Sequence, residues 1–183
     1  MGRKILTQKF FNRAASSVAR ELLGKFLCRQ QLGNPVAKCY MITETEAYDG
    51  FKDKASHAHR GKTARNSPMF GPAGRWYVYF TYGMHWMLNI VTGPKEFPAA
   101  VLIRGVSGQK ELDGPAKLTE FLKIDKRFNN KPAARAAGLW IESASWRSGT
   151  KIKKSQIKRA PRIGVNYAGK WAKKPYRFLL AKQ

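Results

Sequence analysis

The sequence predicts a single α+β domain in which β-strands outnumber helices. Three observations favour this fold class: the length of the chain, the alternation typical of strands in several segments, and a few segments with helical spacing. The chain has 183 residues, of which 43% are hydrophobic, and this suits one domain with a sizeable core. No internal repeat and no linker divides it, so we expect one domain over residues 1–183.

Helices are predicted in three places. Apolar residues recur at helical spacing in residues 14–23, and Gly24 suits the position just past a helix end. Asp113-Gly-Pro115 introduces a helix that runs to about residue 122, with proline near its first turn. A short helix is predicted at 133–137. The basic start of the chain, residues 1–13, is expected to be loosely attached.

Strands are predicted from period-2 alternation and from the turn residues between them. The predicted strands are residues 25–30, 36–48, 76–81, 84–91, 98–106 and 139–142. The first two are expected to pair around a turn at 32–35, and the next two to form a tight hairpin around Tyr82-Gly83.

Two long segments have loop composition. Residues 49–74 are polar and rich in glycine and proline, and a loop of that length inside a compact domain is usually functional. Residues 143–158 have the composition of a mobile basic loop. From residue 151 onward the chain has eleven Lys and Arg and no Asp or Glu. The aromatic and aliphatic residues of this tail predict that its later part folds.

The charge of the chain points to a polyanionic partner. Lys and Arg number 35 against 11 acidic residues, which gives a formal net charge of +24 and a pI near 10.5. Nucleic acid is the first candidate. The alternative is a protein from a lineage with a basic proteome.

The cysteine count and the N-terminus favour a cytoplasmic protein, associated with the nucleoid if the source is bacterial. Cys28 and Cys39 are too few for a disulfide scaffold or a cysteine zinc cluster, and they fit a reducing compartment. The first residues lack the long apolar run of a signal peptide. The charge-free segment 76–91 is interrupted by polar residues and glycine, so we do not expect it to span a membrane.

The strand 36–48 contains the first candidate for chemistry. Under strict alternation Tyr40, Ile42, Glu44, Glu46 and Tyr48 share one face. Two carboxylates in line with an aromatic could form a general acid/base pair beside a planar ligand. The alternative is a solvated strand face. Acidic residues are scarce in this chain, and two of the eleven on one strand favour the first interpretation.

Three further residue types could serve a site. His57 and His59 could bind a metal from one side of an extended segment, but no third ligand is identifiable, and a lone His57 in a pocket is the favoured interpretation. Tyr82 at the hairpin tip could act as an aromatic wedge in a duplex, or could simply occupy a surface turn. Arg104 in an apolar strand calls for an anion, and Glu46 is the obvious candidate unless Arg104 faces water.

Many of these residues together resemble the 3-methyladenine (alkyladenine) DNA glycosylase family over almost the whole chain. The matching residues are Glu44-Thr-Glu-Ala-Tyr48, His57, Arg65-Asn66, Met69-Phe70, Tyr77-Val-Tyr79, Tyr82-Gly-Met84, Asn89, Arg104, Gly114-Pro-Ala-Lys-Leu118, Arg162-Ile-Gly-Val165, Trp171 and Lys174-Pro175. The resemblance implies a curved, partly open, barrel-like antiparallel sheet with peripheral helices. It also implies a monofunctional base-excision repair enzyme without metal or organic cofactor, which acts on double-stranded DNA containing damaged purines and not on membranes. We expect a monomer.

The resemblance also implies roles for individual residues. Glu46 matches the general base that activates water, Arg104 the arginine that holds this water, and Val165 a third contact to it through its main-chain carbonyl. Tyr82 matches the intercalating wedge, with Met84 close to it.

The remaining matches concern the base pocket. Tyr48, His57 and Tyr79 match the residues that enclose a flipped base, and the His57 amide matches the donor that reads position 6 of the purine. Asn89 matches the residue that crowds the 2-amino group of guanine. His85 stands where family members often have an aromatic, and the loop after His57 is slightly shorter than in some relatives, so lesion preference is left open.

Two other functional interpretations stay open at this level. A non-catalytic basic nucleic-acid-binding protein would explain the charge, but it would have no use for Glu46, Tyr48 and Arg104 together. Lysine is abundant enough for a Schiff-base lyase, although the resemblance implies activated water instead.

Overall fold

The structure, a computed structural model, describes residues 4–107, 112–143 and 152–181. One antiparallel sheet forms the centre of the molecule and curls into a half-barrel. Its strands are β1 (Phe26–Arg29), β2 (Lys38–Asp49), β3 (Trp76–Thr81), β4 (His85–Val91), β5 (Ala99–Val106), β6 (Leu139–Glu142), β7 (Ile157–Ala160) and β8 (Arg177–Leu180). The strand order is β3-β4-β5-β2-β1-β6, and β8 pairs with both β2 and β7. The expected α+β fold with a curved antiparallel sheet is confirmed.

Within the described residues three α-helices accompany the sheet: α1 (Gln8–Phe11), α2 (Ala15–Leu22) and α3 (Pro115–Phe121). The apolar stripe of α2 is buried against the sheet, and the Thr45 hydroxyl of β2 donates to the Ala19 carbonyl at 2.8 Å. The Thr119 hydroxyl of α3 donates to the Trp86 carbonyl of β4 at 2.8 Å. The helices predicted at 14–23 and after Asp113 are therefore confirmed, and the one at 133–137 is a 3₁₀ turn, Arg135–Ala137.

The start of the chain is better attached than its composition indicates. Phe11 is only 1% exposed and belongs to the main core, and its carbonyl accepts a hydrogen bond from the Gly93 amide. The expectation of a loose start was wrong for residues 8–11, because one aromatic side chain reaches the core from a helix of a single turn.

Strand β2 is the longest strand and pairs with three others. It pairs with β1 near its start and, further along, with β5 on one edge and β8 on the other. A register irregularity between Ile42 and Thr45 interrupts the alternation predicted from sequence. Ile42 and Ala47 both lie in the main core, although strict alternation places them on opposite faces. An irregularity of this kind resets which side chains face the core.

The hairpin of β3 and β4 turns at Tyr82-Gly83, as predicted. Both turn residues have positive φ, 52° for Tyr82 and 67° for Gly83. Two consecutive left-handed residues define the turn type that matches the twist of paired strands. Tyr82 therefore extends from the end of a rigid hairpin, with 80% of its surface exposed.

The two cysteines form a disulfide in the structure. Cys28 of β1 and Cys39 of β2 lie directly opposite each other in the first hairpin, with Cα atoms 4.0 Å apart. Their interpretation as thiols suited to a reducing compartment did not anticipate this pairing, because a count of cysteines does not show that a hairpin register places two of them face to face.

The basic tail is mostly folded. Lys154–Gln156 and Asn166–Trp171 are 3₁₀ turns, and β7 and β8 lie between and after them. Part of the loop predicted at 143–158 is therefore regular, and the prediction for 144–151 falls outside the described residues. No helix in the described part of the chain is long and apolar enough to cross a membrane.

Candidate active site

A cavity of about 390 Å³ lies on one side of β2, at the edge where the long loop, the β3–β4 hairpin and the C-terminal segment meet. The size is that of a site for one small planar ligand. Aromatic side chains make up much of its wall. The lining residues that matter below are Tyr48, His57, Arg65, Tyr77, Tyr79, Tyr82, Asn89, Arg104, Ile163, Val165 and Tyr167.

Glu46 lies directly behind the wall of this cavity. Its side chain is 0% exposed. One carboxylate oxygen accepts the Ile163 amide at 2.8 Å, and the other accepts the Tyr48 hydroxyl at 2.9 Å. Both donors line the cavity. A carboxylate that faces no bulk solvent, and touches the cavity through two donors, is suited to act as a base on a molecule bound there.

Arg104 links Glu46 to the second carboxylate of the strand. Its Nε donates to Glu44 Oε1 at 2.9 Å, and its Nη1 lies 3.5 Å from Glu46 Oε2. Arg177 Nη1 also donates to Glu44 Oε1, at 3.1 Å. Sequence alone favoured Glu46 as the partner of Arg104, whereas the structure gives Glu44 the shorter contact and leaves Arg104 facing Glu46 along the cavity wall.

The environment of Glu46 raises its pKa above the usual carboxyl value of 4.5. Burial is the largest cause, and Glu44 acts in the same direction. Arg104, the Ile163 amide and the Tyr48 hydroxyl oppose this by stabilising the ionised form. Arg104 on one side, and burial with Glu44 on the other, therefore shift the pKa of Glu46 in opposite directions.

Tyr48 and Tyr79 form aromatic parts of the wall. Burial and the Glu46 charge raise the pKa of Tyr48 well above its ordinary value, and burial raises the pKa of Tyr79 to about 12. Both phenols are therefore neutral donors at physiological pH. The Arg65 guanidinium lies 5.1 Å from the centre of the Tyr79 ring.

His57 is held by its neighbours at the far side of the cavity. Its Nδ1 is 3.0 Å from the Tyr77 hydroxyl, and its carbonyl accepts from Asn66 Nδ2 at 3.0 Å. Its ring contacts Tyr79 edge-on, with centroids 4.6 Å apart. Burial and then Arg65 lower its pKa, so the imidazole is neutral at physiological pH. In the described part of the chain its main-chain N–H has no partner and its ring does not touch that of Tyr48.

The structure also places the remaining predicted residues. Asn89 is 3% exposed in the cavity wall, and its Nδ2 donates to the Tyr77 carbonyl at 3.1 Å. Val165 lines the cavity and is 3% exposed. Tyr82 lies at the cavity mouth, whereas the neighbouring Met84 is outside the lining and 66% exposed.

The alternative metal site at the histidines has no support in the geometry. His59 is half-buried and its Nδ1 contacts the Phe51 carbonyl at 2.9 Å, while His57 Nδ1 contacts the Tyr77 hydroxyl. Within the described ranges, the one cluster of possible ligands is Cys28, Cys39 and Glu142, and its two cysteines are joined to each other.

Sequence analysis missed residues that complete the site. Tyr167 and Ile163 line the cavity although they are 71% and 51% exposed. Asp53 and Arg162 form an ion pair next to Tyr48 with no exposed side-chain surface. No periodicity could have found them, because Asp53 and Arg162 are separated by 109 residues and meet only in the folded chain.

Comparison with known proteins agrees with this geometry. A family model described as methylpurine-DNA glycosylase (MPG) matches residues 9–183. A protein of Myxococcus xanthus (strain DK1622), named "Putative 3-methyladenine DNA glycosylase", is 42% identical over 178 residues, which cover 94% of this chain and 88% of the relative.

Two further relatives with the same printed name are similarly close. One from Anaeromyxobacter dehalogenans (strain 2CP-C) is 41% identical over 96% of this chain and 83% of its own length. One from Methanocella arvoryzae is 41% identical over 95% of this chain and 91% of its own length. A family match over nearly the entire sequence, together with relatives aligned over most of both chains, shows that this chain belongs to the methylpurine-DNA glycosylase family and is a DNA glycosylase.

Proposed function

We propose that this glycosylase flips alkylated or deaminated purines, such as 3-methyladenine or hypoxanthine, out of duplex DNA and hydrolyses their N-glycosidic bond. The observation that carries the proposal is a carboxylate with no exposed surface, Glu46, directly behind an aromatic cavity sized for one purine. The cavity offers stacking surfaces for the base, and the Glu46 carboxylate adjoins it through the Tyr48 hydroxyl and the Ile163 amide, which supports a reaction at the sugar.

The hydrolysis uses one water molecule. Its oxygen attacks C1′ of the deoxyribose, its proton passes to Glu46, and the electron pair of the glycosidic bond leaves with the base. The sugar carries positive charge in the transition state, so ionised Glu46 also stabilises this charge. Arg104 and the Val165 carbonyl are the groups we assign to orient the water, since both residues line the cavity and Arg104 Nη1 lies 3.5 Å from Glu46 Oε2. The Val165 carbonyl accepts the Ala168 amide at 2.9 Å and keeps a second lone pair for the water.

The charge of the lesion decides how much help the base needs to leave. A 3-methyladenine base is cationic in DNA and leaves as a neutral molecule, so Glu46 and water suffice. Hypoxanthine is neutral and needs more help from the site. Neutral His57 suits the cationic base, which a protonated imidazole would repel.

Base extrusion relies on the hairpin tip and on the weakness of damaged pairs. A lesion that pairs poorly costs less to remove from the stack than a normal base. Tyr82 is exposed at the mouth of the cavity and is placed to fill the gap in the duplex. Stacking of the flipped base on aromatic side chains contributes about 1–3 kcal/mol.

The test is excision from a duplex with a single hypoxanthine, followed by hot alkali to cleave the abasic strand. A second substrate, DNA treated with a methylating agent, reports 3-methyladenine release by chromatography. We expect the wild-type protein to act on at least one of them, and Glu46→Gln to bind the damaged duplex without cutting it. Near wild-type turnover by Glu46→Gln would remove Glu46 from the role of base.

Borohydride trapping tests the proposed absence of lyase chemistry. A Schiff base between a lysine and the sugar would be reduced to a stable protein–DNA adduct, whereas hydrolysis by water leaves none. We expect no adduct during excision. Tight binding without any strand break on either substrate would instead favour the interpretation as a non-catalytic binder.

A further inference from the structure

Asp53 and Arg162 form a two-pronged ion pair inside the protein. Arg162 Nη1 lies 2.5 Å from Asp53 Oδ2, and Arg162 Nη2 lies 2.8 Å from Asp53 Oδ1. Both side chains are 0% exposed. Neither residue lines the cavity, and the pair's side chains bond to each other and to backbone groups of the strand and the loop, which indicates an indirect role.

The pair connects the three parts of the chain that build the site. Arg162 Nη1 donates to the Ala47 carbonyl of β2 at 2.8 Å, next to Tyr48. Asp53 accepts the Asp49 and Ala55 amides, each at 3.1 Å, and so shapes the loop that leads to His57. A shift of either partner would move strand and loop relative to each other.

Arg162 also covers one face of Tyr48. Its guanidinium carbon lies 4.8 Å from the centre of the Tyr48 ring. Tyr48 lines the cavity and Arg162 does not, so the guanidinium fixes the ring from behind and leaves the cavity side to the ligand. Planar guanidinium groups stack on aromatic faces in a way that lysine cannot copy.

The backbone that follows Arg162 contacts the catalytic carboxylate. Ile163 donates its amide to Glu46 Oε1 at 2.8 Å, and both Ile163 and Val165 line the cavity. Anchoring Arg162 therefore anchors the donor on Glu46. Because misplacement by about 1 Å can cost a factor of about 10² in rate, this anchor bears on the chemistry.

The pair is poorly suited to stabilising the fold for its own sake. Within the described residues Arg162 Nε is buried without a hydrogen-bond partner. A buried ion pair often contributes less to stability than apolar side chains of similar size. Arg162 is a buried cation with one unsatisfied donor, and it lies behind the wall of the site. This indicates that the pair fixes the positions of the site residues rather than stabilising the fold.

We propose that Asp53 and Arg162 are a positioning pair that holds the Tyr48 ring and the Ile163 amide in register with Glu46. The inference rests on the proposed function, in which Glu46 is the base and Tyr48 stacks on the flipped purine. The pair acts through these residues and touches neither the DNA base nor the water.

The first test is Arg162→Lys, which keeps the positive charge but loses the planar, two-pronged contact. We expect single-turnover excision to fall by about ten-fold or more, measured below the unfolding temperature. We also expect the acid limb of the pH–rate profile to move to higher pH, because the Ile163 amide lowers the pKa of Glu46 and would be displaced.

Other charged or titratable groups around Glu46 stay in place in this variant. They are Arg104, Glu44 and Tyr79, and the positive charge at position 162 remains as lysine. A change in the acid limb therefore reports on the Ile163 amide and the Tyr48 hydroxyl, the two donors to Glu46 that the pair positions, and not on a lost charge.

Arg13→Lys is the matched control. Arg13 makes a similar two-pronged contact with Glu21, at 3.3 and 2.9 Å, and its guanidinium lies 4.7 Å from the Phe10 ring, but it does not line the cavity. We expect Arg13→Lys to leave both the excision rate and the acid limb of the pH–rate profile unchanged. This variant also loses a two-pronged contact with a carboxylate, but at a partly exposed position away from the cavity.

A double variant covers the case in which Arg162→Lys does not fold. Asp53→Asn with Arg162→Gln removes both charges together and leaves no unpaired ion inside the protein. We expect it to fold and to remain slow in excision. Wild-type rates with an unshifted acid limb in either folded variant would overturn the positioning role.

The outcomes separate this inference from the proposed function. If the wild-type protein excises no damaged purine, the proposed function fails and the pair is not at issue. If wild type excises, Glu46→Gln does not, and Arg162→Lys matches wild type, only the positioning pair is rejected.

Discussion

Folding and the proposed reaction favour opposite protonation states of Glu46. Its side chain has no exposed surface, yet the proposed reaction needs its ionised form. The Ile163 amide, the Tyr48 hydroxyl and Arg104 supply favourable contacts to that form, and burial opposes them more strongly. The net result is a carboxylate with a raised pKa. It is a stronger base than a solvated carboxylate, and its ionised form is less favourable inside the protein than in water.

The first prediction concerns stability and pH at this residue. The pKa of Glu46 is higher in the folded than in the unfolded chain, so the unfolded chain loses this proton first as pH rises. The folded state is then disfavoured progressively until pH passes the folded pKa. We expect Glu46→Gln to unfold at the same temperature as wild type or higher at pH about 7, with the difference shrinking below the normal carboxyl pKa of about 4.3.

Thermal unfolding followed by circular dichroism across this pH range measures the effect. Glu21→Gln serves as a control, because Glu21 pairs with Arg13 at a partly exposed site and has no contact with the cavity. A Glu46→Gln protein that melts well below wild type at neutral pH would show that the ionised carboxylate stabilises the fold.

At the scale of elements, β2 organises the site. It presents Glu44, Glu46 and Tyr48, and it pairs with the strand that carries Arg104. The pattern of two carboxylates and an aromatic on one strand was sufficient to predict a site here. The register irregularity near Glu44 was not predictable. It arises from the pairing of β2 with β5, and the sequence of one strand does not specify how its partner strand is aligned with it.

The β3–β4 hairpin is the element that was predicted most completely. Its strands alternate, its turn residues tolerate positive φ, and the structure has the turn where expected. The local sequence is enough in this case because a tight turn fixes the register of both strands.

The second prediction tests the tip of this hairpin. Tyr82→Ala removes a side chain that is 80% exposed, so the unfolding temperature should not change. We expect excision to fall because the gap in the base stack is left unfilled, at a cost of about 1–3 kcal/mol if an aromatic stack is lost. A fluorescent base analogue opposite the lesion, read alongside the single-turnover rate, separates loss of flipping from loss of chemistry.

Leu32→Ala is the control for this prediction. Leu32 is fully exposed at the tip of the β1–β2 hairpin and does not line the active-site cavity. It should change neither flipping nor excision. Equal rates for Tyr82→Ala and wild type would mean that Tyr82 is an ordinary surface residue, which was the alternative left open by its sequence.

At the scale of the whole molecule, the net charge of +24 has to be explained by the partner. Few of the 35 Lys and Arg are needed for the site itself. Arg104, Arg162 and Arg177 are paired with carboxylates, and most of the others remain available for phosphates. In the proposed function, charge on this scale lets the protein bind any duplex and search it for damage without reading sequence.

The third prediction is a steep dependence of DNA binding on salt. A protein that contacts 6–10 phosphates loses a factor of about 10³ to 10⁵ in affinity between about 50 and 200 mM salt. We expect this protein to fall in that range on undamaged duplex DNA, measured by fluorescence anisotropy. The slope should be nearly the same for Glu46→Gln, because Glu46 is buried. A flat salt dependence would mean that the basic surface has another partner.

The sequence by itself determined the strands β1 to β6, the helices α2 and α3, the turn at Tyr82-Gly83 and the basic composition, and it predicted Glu46, Tyr48, His57, Tyr82 and Arg104 as site residues. These follow from local pattern, from charge and from a long, specific resemblance. The tertiary structure alone decided that Glu44 is the closer partner of Arg104, that Cys28 and Cys39 meet, and that Asp53 and Arg162 form an ion pair behind Tyr48. The physical reason is that these contacts depend on strand register and on chain closure over many residues, which no local sequence pattern records.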